Sequence, residues 1–281
     1  MINEVIKRVQ YMLPNTEVSV QTVVKNNDIL HTGVVIRTKG SDIAPVFYVD
    51  SMMERGMSAD QIAIYICRAY RKEGEKTFDN AKELLLHYHN VKSLLNLQLV
   101  NRASNQERLK DIPYVPFMDL SAIVVIQLEE SMRQQAIVKV TKQLIEVWGV
   151  SFDEIYEDAR RNFMKKKPQT KKLTDVIRTL AQSFYLEDFD VPMYIITNET
   201  MVYGASAILN NLFMQELASK IGDDIIVIPS SIHECIVIPA KGISEDSVNE
   251  IIQEVNCTNV EPEERLSDHM YLYKRNYGWY N

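Results

Sequence analysis

The chain has 281 residues, of which 46% are hydrophobic and 25% charged, the balance of a folded protein rather than a disordered one. A formal net charge of −7 argues against a general nucleic-acid binder, which needs concentrated positive charge; cytosolic solubility explains it more simply than a basic partner does. Three widely spaced cysteines, Cys67, Cys235 and Cys257, form no C-x-x-C pair, which argues against a disulfide scaffold or a cysteine-rich zinc site and fits a reducing compartment.

The first 75 residues read helix, strands, helix. Ile2, Val5, Val9, Met12 and Leu13 share one helical face before Pro14 closes it. The opening MINEVIKRVQYMLPN is amphipathic and interrupted by charge, unlike a signal peptide. Val18, Val20, Thr22 and Val24 then alternate with Ser19, Gln21 and Val23 as in a half-buried strand. Asn26-Asn27-Asp28 supplies turn chemistry before a second strand, about Ile29 to Thr38, so a hairpin is expected. A third strand, Val46 to Val49, leads to a helix opened by a Ser58/Gln61 capping box, with Ile62, Tyr65, Ile66, Ala69 and Tyr70 as its apolar stripe.

In the middle third, Ala81 to Leu99 reads as helical, changing character around Leu97 to Val100. Pro113 and Pro116 mark a loop, and the apolar run Leu120 to Leu128 suits a buried strand. Ala136 to Val140 is its expected partner across the connection Glu129 to Gln135. Ser151 and Glu154 form a second capping box, opening a helix that carries Ile155, Ala159 and Phe163. Arg160, Arg161, Lys165, Lys166, Lys167, Lys171 and Lys172 crowd a stretch containing Pro168. It reads as a solvated helix end and a domain boundary; an anion or nucleic-acid patch is the competing reading, disfavoured because only Phe163 supplies an aromatic.

In the last third, Met193 to Thr197 and Met201 to Leu209 read as strands around Asn198-Glu199-Thr200. Asn210 caps a helix that Gly222 ends, Ile225 to Ile228 and Ile232 to Ile238 are two more strands, and Ser244 opens a helix with Val248, Ile251, Ile252 and Val255 on one face. A strand from His269 to Arg275 closes the chain. The order β-β-α-β-β-α-β predicts an α+β fold, with antiparallel or mixed sheets carrying packed helices, in two lobes at 1–165 and 173–281. No run approaches the roughly 18 apolar residues of a membrane span.

The glycine-rich phosphate loops, the G-x-S-x-G elbow and H-E-x-x-H are all missing from the sequence. The densest chemistry lies in Pro229-Ser230-Ser231-Ile232-His233-Glu234-Cys235. As a strand it sets Ser231, His233 and Cys235 on one face and Glu234 with Ile232, Ile236 and Ile238 on the other. A carboxylate on an apolar face is either an anchor for a buried donor or a group with a raised pKa. Ser231 and His233 make a nucleophile and base only if a turn shortens the roughly 7 Å between residues two apart on a strand. Ser267-Asp268-His269 is the second cluster. Were the two to meet, His233, Glu234, Asp268 and His269 would suit a divalent metal, or, with Ser231, acid–base hydrolysis. His87 and His89 fall on different helix faces and read as surface residues.

The blocks PMYIITNETMVYGASAIL, IIVIPSSIHECIVIP and RLSDHMYLYKR, with IPYVPFMDLSAIV and VWGVSFDEIY upstream, resemble a domain-of-unknown-function family of anaerobic Gram-positive, Clostridia-type gut bacteria and their mobile elements. The resemblance implies a bacterial cytoplasmic protein and carries over no activity, cofactor or site residue. The expectation is a cytoplasmic binding or regulatory protein without catalysis or cofactor, with a protein partner favoured over nucleic acid and no membrane association. The alternative is a hydrolase, metal-dependent or not, using Ser231, His233, Glu234, Asp268 and His269.

Overall fold

The computed structural model describes residues 1–38, 44–73, 81–128, 137–176, 191–229 and 231–280. The chain divides into two compact units, Met1–His87 and Tyr88–Asn281, and its antiparallel sheets with packed helices are α+β. The basic stretch 160–172 lies inside the second unit, as the end of a helix and a short strand. Ser230 and the connection 129–135 lie outside the described residues.

The first unit contains α1 (Ile2–Met12), β1 (Thr16–Val24), β2 (Leu30–Thr38), β3 (Val46–Tyr48), α2 (Asp50–Glu54), α3 (Ala59–Glu73) and α4 (Ala81–Leu86). Its sheet runs β1-β2-β3, antiparallel throughout. The expected hairpin is present, with Val24 opposite Leu30 and the reversal made by Asn27 and Asp28 at φ 60° and 52°, a conformation their short polar side chains tolerate. The Ser58/Gln61 box closes reciprocally: Ser58 N–H donates to Gln61 Oε1 at 2.8 Å and Gln61 N–H to Ser58 Oγ at 3.3 Å. The buried stripe of α3 differs from the expected one. Ile62, Ala63, Ile66 and Cys67 are buried against Val5, Val9, Val34 and Ile36, while Tyr65 is 56% exposed. The small Ala63 and Cys67 let the helix sit close to α1, where a tyrosine would not fit.

The second unit contains α5 (Tyr88–Val91), β4 (Leu95–Asn101), α6 (Gln106–Leu109), β5 (Tyr114–Phe117), β6 (Leu120–Gln127), β7 (Ile137–Lys139), α7 (Lys142–Trp148), α8 (Phe152–Lys165), β8 (Gln169–Lys172), β9 (Tyr194–Thr197), α9 (Asn211–Ile221), β10 (Ile225–Ile228), β11 (Cys235–Pro239), α10 (Glu245–Thr258), β12 (Tyr271–Lys274) and β13 (Gly278–Tyr280). β6 pairs with β4 along one edge and with β5 and then β7 along the other. The second sheet runs β13-β12-β10-β11-β9-β8, with every neighbour antiparallel. Ile225, Val227, Cys235 and Val237 pack one of its faces against Met214, Leu217 and Ala218 of α9. Ile226 and Ile238 pack the other face against Val248 and Ile252 of α10.

Five expectations are corrected here. Residues 95–101 are a strand, not the end of a helix, because Leu95, Leu97 and Leu99 alternate with Asn96, Gln98 and Val100. Pro116 sits inside β5, an edge strand whose outer side needs no proline N–H. Met201–Leu209 is not a strand: Met201 and Tyr203 have φ of 56° and 55°, and Gly204–Leu209 coils into a 3-10 turn that Asn210 links to α9. The terminal strand is a hairpin, β12–β13. On α10, Ile251 is 59% exposed and Asn256 takes the buried position.

Candidate ligand-binding site

The loop before β11 is built by side chain–backbone bonds. Buried Ser231 uses its Oγ to accept the His233 backbone N–H at 3.0 Å, and its own N–H donates to the Glu234 carbonyl at 3.3 Å. The serine therefore shapes the turn and meets the backbone of His233, not its ring. His233 Nδ1 accepts the Tyr203 N–H at 3.1 Å. A backbone N–H can only donate, so Nδ1 is the bare nitrogen and Nε2 carries the proton, 3.4 Å from Glu264 Oε1. Ser231, His233, Glu234 and Glu264 line an open cleft of about 490 Å³ with Val255 and Asn259.

Burial pushes the Glu234 carboxyl above the usual carboxylate range, nearby Glu264 adds to the shift, and His233 opposes it. Because β11 begins only at Cys235, Ile232–Glu234 belong to the preceding loop, and Glu234 does not share a strand face with Ile236 and Ile238 as expected. The sign follows directly. An acid whose folded pKa is raised contributes stability below its unfolded value, about 4.3, and loses it as pH rises through the folded value. Glu234→Gln should therefore raise the urea midpoint at pH 7 and converge on wild type near pH 4, measured by denaturation at both pH values.

The second cluster gathers around Asp119, which sits at the β5–β6 corner after Met118 turns at φ 53°. Asp119 accepts from Tyr271 Oη at 2.6 Å and from Ser267 Oγ at 3.0 Å, with His269 Nε2 3.6 Å away. Burial and the Asp119 charge drive the Tyr271 phenol pKa upward. Asp268 Oδ1 accepts instead from Asn256 at 2.8 Å. Neither Asp268 nor His269 is among the residues lining the His233 cleft, and each histidine has its own carboxylate, Glu264 or Asp119. Among the described residues no group of three or more His, Cys, Asp or Glu side chains is arranged to hold a metal ion. His87, between α4 and α5, and His89, within α5, are both exposed.

A more completely built site lies at the free edge of β4. An unpaired edge presents bare N–H groups, and here side chains cap two of them: Asn96 Oδ1 accepts from Leu97 N–H at 2.9 Å and Ser206 Oγ from Leu99 N–H at 3.0 Å. Beside this edge is a cavity of about 430 Å³, within the size range of ligand pockets, about 300–1,000 Å³. Asn96, Gln98 and Gln127 come to it from the β4–β6 sheet, and Thr197, Tyr203 and Gly204 from the β9 side. Lys165, Lys166 and Lys167, where α8 ends, also line it, as do Phe163 and Glu199. Gln127 Oε1 accepts from both Asn96 Nδ2 at 2.7 Å and Lys166 Nζ at 2.9 Å.

Gln98 is 3% exposed, and its Oε1 has no hydrogen-bond partner. Among the described residues four buried side-chain atoms lack a partner, and only that of Gln98 belongs to a residue lining this cavity. A buried acceptor left bare costs about 1–3 kcal/mol, so its presence needs an explanation that a ligand donor would supply.

The basic stretch divides accordingly. Arg160 is held by Glu157 and Arg161 by Asp158, both within α8, while Lys165–Lys167 border the cavity. Asn96 and Gln98 were missed because a helical reading scatters them around a surface. Read with period two, Leu95–Asn101 sets the amides on one face of a strand, and that was the available signal.

Fold and site together define an α+β protein of antiparallel sheets with a cavity at a sheet edge lined by amide and lysine side chains. The chain belongs to the family of unknown function DUF5688, which it matches over residues 1–275. No curated protein and no solved structure matches it. No helix among the described residues is long and apolar enough to cross a membrane, and all three cysteines are free thiols.

Proposed function

We propose that this is a binding or regulatory protein without catalysis, and that it holds a small molecule in the cavity at the edge of β4. The bare Oε1 of buried Gln98 carries this reading, because a side chain placed only for packing would be better served by leucine. The bacterial, cytoplasmic setting rests on the resemblance of the sequence blocks and on the three free thiols. With a net charge of −7, a protein is favoured over nucleic acid as any macromolecular partner.

Hydrolysis by Ser231, His233, Glu234, Asp268 and His269 is the alternative. The geometry favours it less, since Ser231 Oγ is occupied by a backbone N–H and His233 Nδ1 by another.

Gln98→Leu separates a ligand contact from a structural one. Without ligand the variant should unfold at the wild-type temperature or a few degrees above it, because a bare buried acceptor has been removed. Thermal unfolding with a panel of small metabolites should then raise the midpoint of the wild type but not of the variant. Equal stabilisation of both proteins by every active compound would remove the cavity from the account.

A further inference from the structure

We infer that the ligand of this cavity is a nucleoside monophosphate, an inference that rests on the binding reading above. The lining makes two demands that one simple ion cannot meet. Gln98, a lining residue, has a buried Oε1 that needs an N–H or O–H donor, and an anion there would be repelled by a carbonyl oxygen. Elsewhere in the lining, Lys165, Lys166 and Lys167 concentrate positive charge in a protein of net charge −7. Among the described residues no carboxylate pairs with Lys165 or Lys167. The ligand is therefore bifunctional, donor-bearing at one end and anionic at the other.

The remaining lining specifies the donor end. A primary amide presents an acceptor and donors in one plane, the pattern with which glutamine and asparagine read the edge of a nucleobase. Asn96 and Gln98 stand two apart on the same strand face; Asn96 is held by Leu97 and Gln127, which leaves the Gln98 amide to meet the ligand. Phe163 and Tyr203 supply flat aromatic surface, the common means of holding an unpaired base. Tyr203 is held in place by the His233 ring, with centroids 5.4 Å apart and planes at 30°. Glu199 and Thr200 add acceptors suited to ribose hydroxyls. About 430 Å³ is near the lower end of ligand-pocket volumes, which suits one nucleotide rather than two.

The test is calorimetric titration of the full chain with AMP, GMP, CMP and UMP. Adenosine, guanosine, inorganic phosphate and N-acetylglutamate (an amide-bearing anion without a base) serve as comparators. At least one nucleotide should saturate, at least tenfold more tightly than its nucleoside or inorganic phosphate. Gln98→Leu and the double variant Lys165→Ala/Lys167→Ala should each weaken it tenfold or more. The lysine variant alters only exposed side chains, so it keeps the test valid should Gln98→Leu fold poorly. Absence of saturation by all four nucleotides, or binding indifferent to both variants, would overturn the inference. Gln98-dependent binding of N-acetylglutamate without nucleotide binding would overturn the ligand class and leave the cavity reading standing. Gln98-independent binding of every compound would overturn both.

Discussion

Replacing Asp158 by alanine is expected to destabilise the Tyr88–Asn281 unit by about 2–3 kcal/mol. Asp158 is 4% exposed, accepts from Tyr88 Oη at 2.5 Å and Lys92 Nζ at 2.9 Å, and pairs with Arg161. It thereby ties α8 to the start of the unit. Removing one partner of a fully buried pair costs about 3–5 kcal/mol because the other charge is stranded. Here Lys92 and Arg161 remain 49% and 63% exposed, so water takes them up and the loss falls below that range.

The same residue gives the acid response a sign. Burial pushes the Asp158 carboxyl pKa up, but the hydrogen bonds from Tyr88 and Lys92 and the charges of Lys92 and Arg161 outweigh it, and the net shift is downward. A depressed folded pKa contributes stability above the unfolded value, about 3.9, that is lost as pH falls through the folded one. The gap between wild type and Asp158→Asn should be widest near pH 7 and shrink as pH falls below the unfolded value of about 3.9. Urea denaturation followed by tryptophan fluorescence reads this directly, since both tryptophans, Trp148 and Trp279, lie in this unit.

Gly204→Val should cost about 3 kcal/mol or more, at the upper end for overpacking. A Cβ at this position would stand 2.1 Å from Thr197 Oγ1, 2.6 Å from Asn198 N and 2.7 Å from the His233 carbonyl oxygen. Two of those three atoms are backbone and cannot swing aside. Thr197 Oγ1 is itself held, donating to the His233 carbonyl at 2.8 Å. The segment must therefore peel away from the His233 loop, releasing the Tyr203 N–H from His233 Nδ1 and opening the cavity wall. Gly222→Ala is the control: its φ of +86° is strained for alanine, but no atom lies within 4 Å, so it should cost only about 1 kcal/mol. Equal losses for the two variants would mean that close approach at Gly204 is unimportant.

Local signals that complete themselves within a few residues are legible in the sequence. The Ser58/Gln61 box, the Asn210 cap, the Gly222 stop and the Asn26–Asp28 turn each depend on chemistry spanning four or five positions. Segments whose conformation distant partners decide are not legible in this way. Met201–Leu209 is apolar enough for a strand, yet Ala205 N–H donates to the Ile232 carbonyl and Ser206 Oγ accepts from Leu99, contacts that hold it coiled. Leu95–Asn101 carries a period-two alternation that the helical run before it obscures, and β6 pairs with it along its whole length. For the site, the basic stretch was noticed but not what it faces, because no spacing within 160–172 reveals that Gln98 lines the same cavity. Asp119, which binds Tyr271 and Ser267, gave no local signal either: both partners are about 150 residues away in the chain.

The central claim is that the cavity at the β4 edge is where this protein binds its ligand. Amide hydrogen exchange of the full chain, with and without saturating nucleoside monophosphate, tests it most directly. The account predicts ligand-dependent protection at residues 95–99, 163–168 and 197–207. Protection confined to residues 231–234 and 255–264, around the His233 cleft, would contradict it.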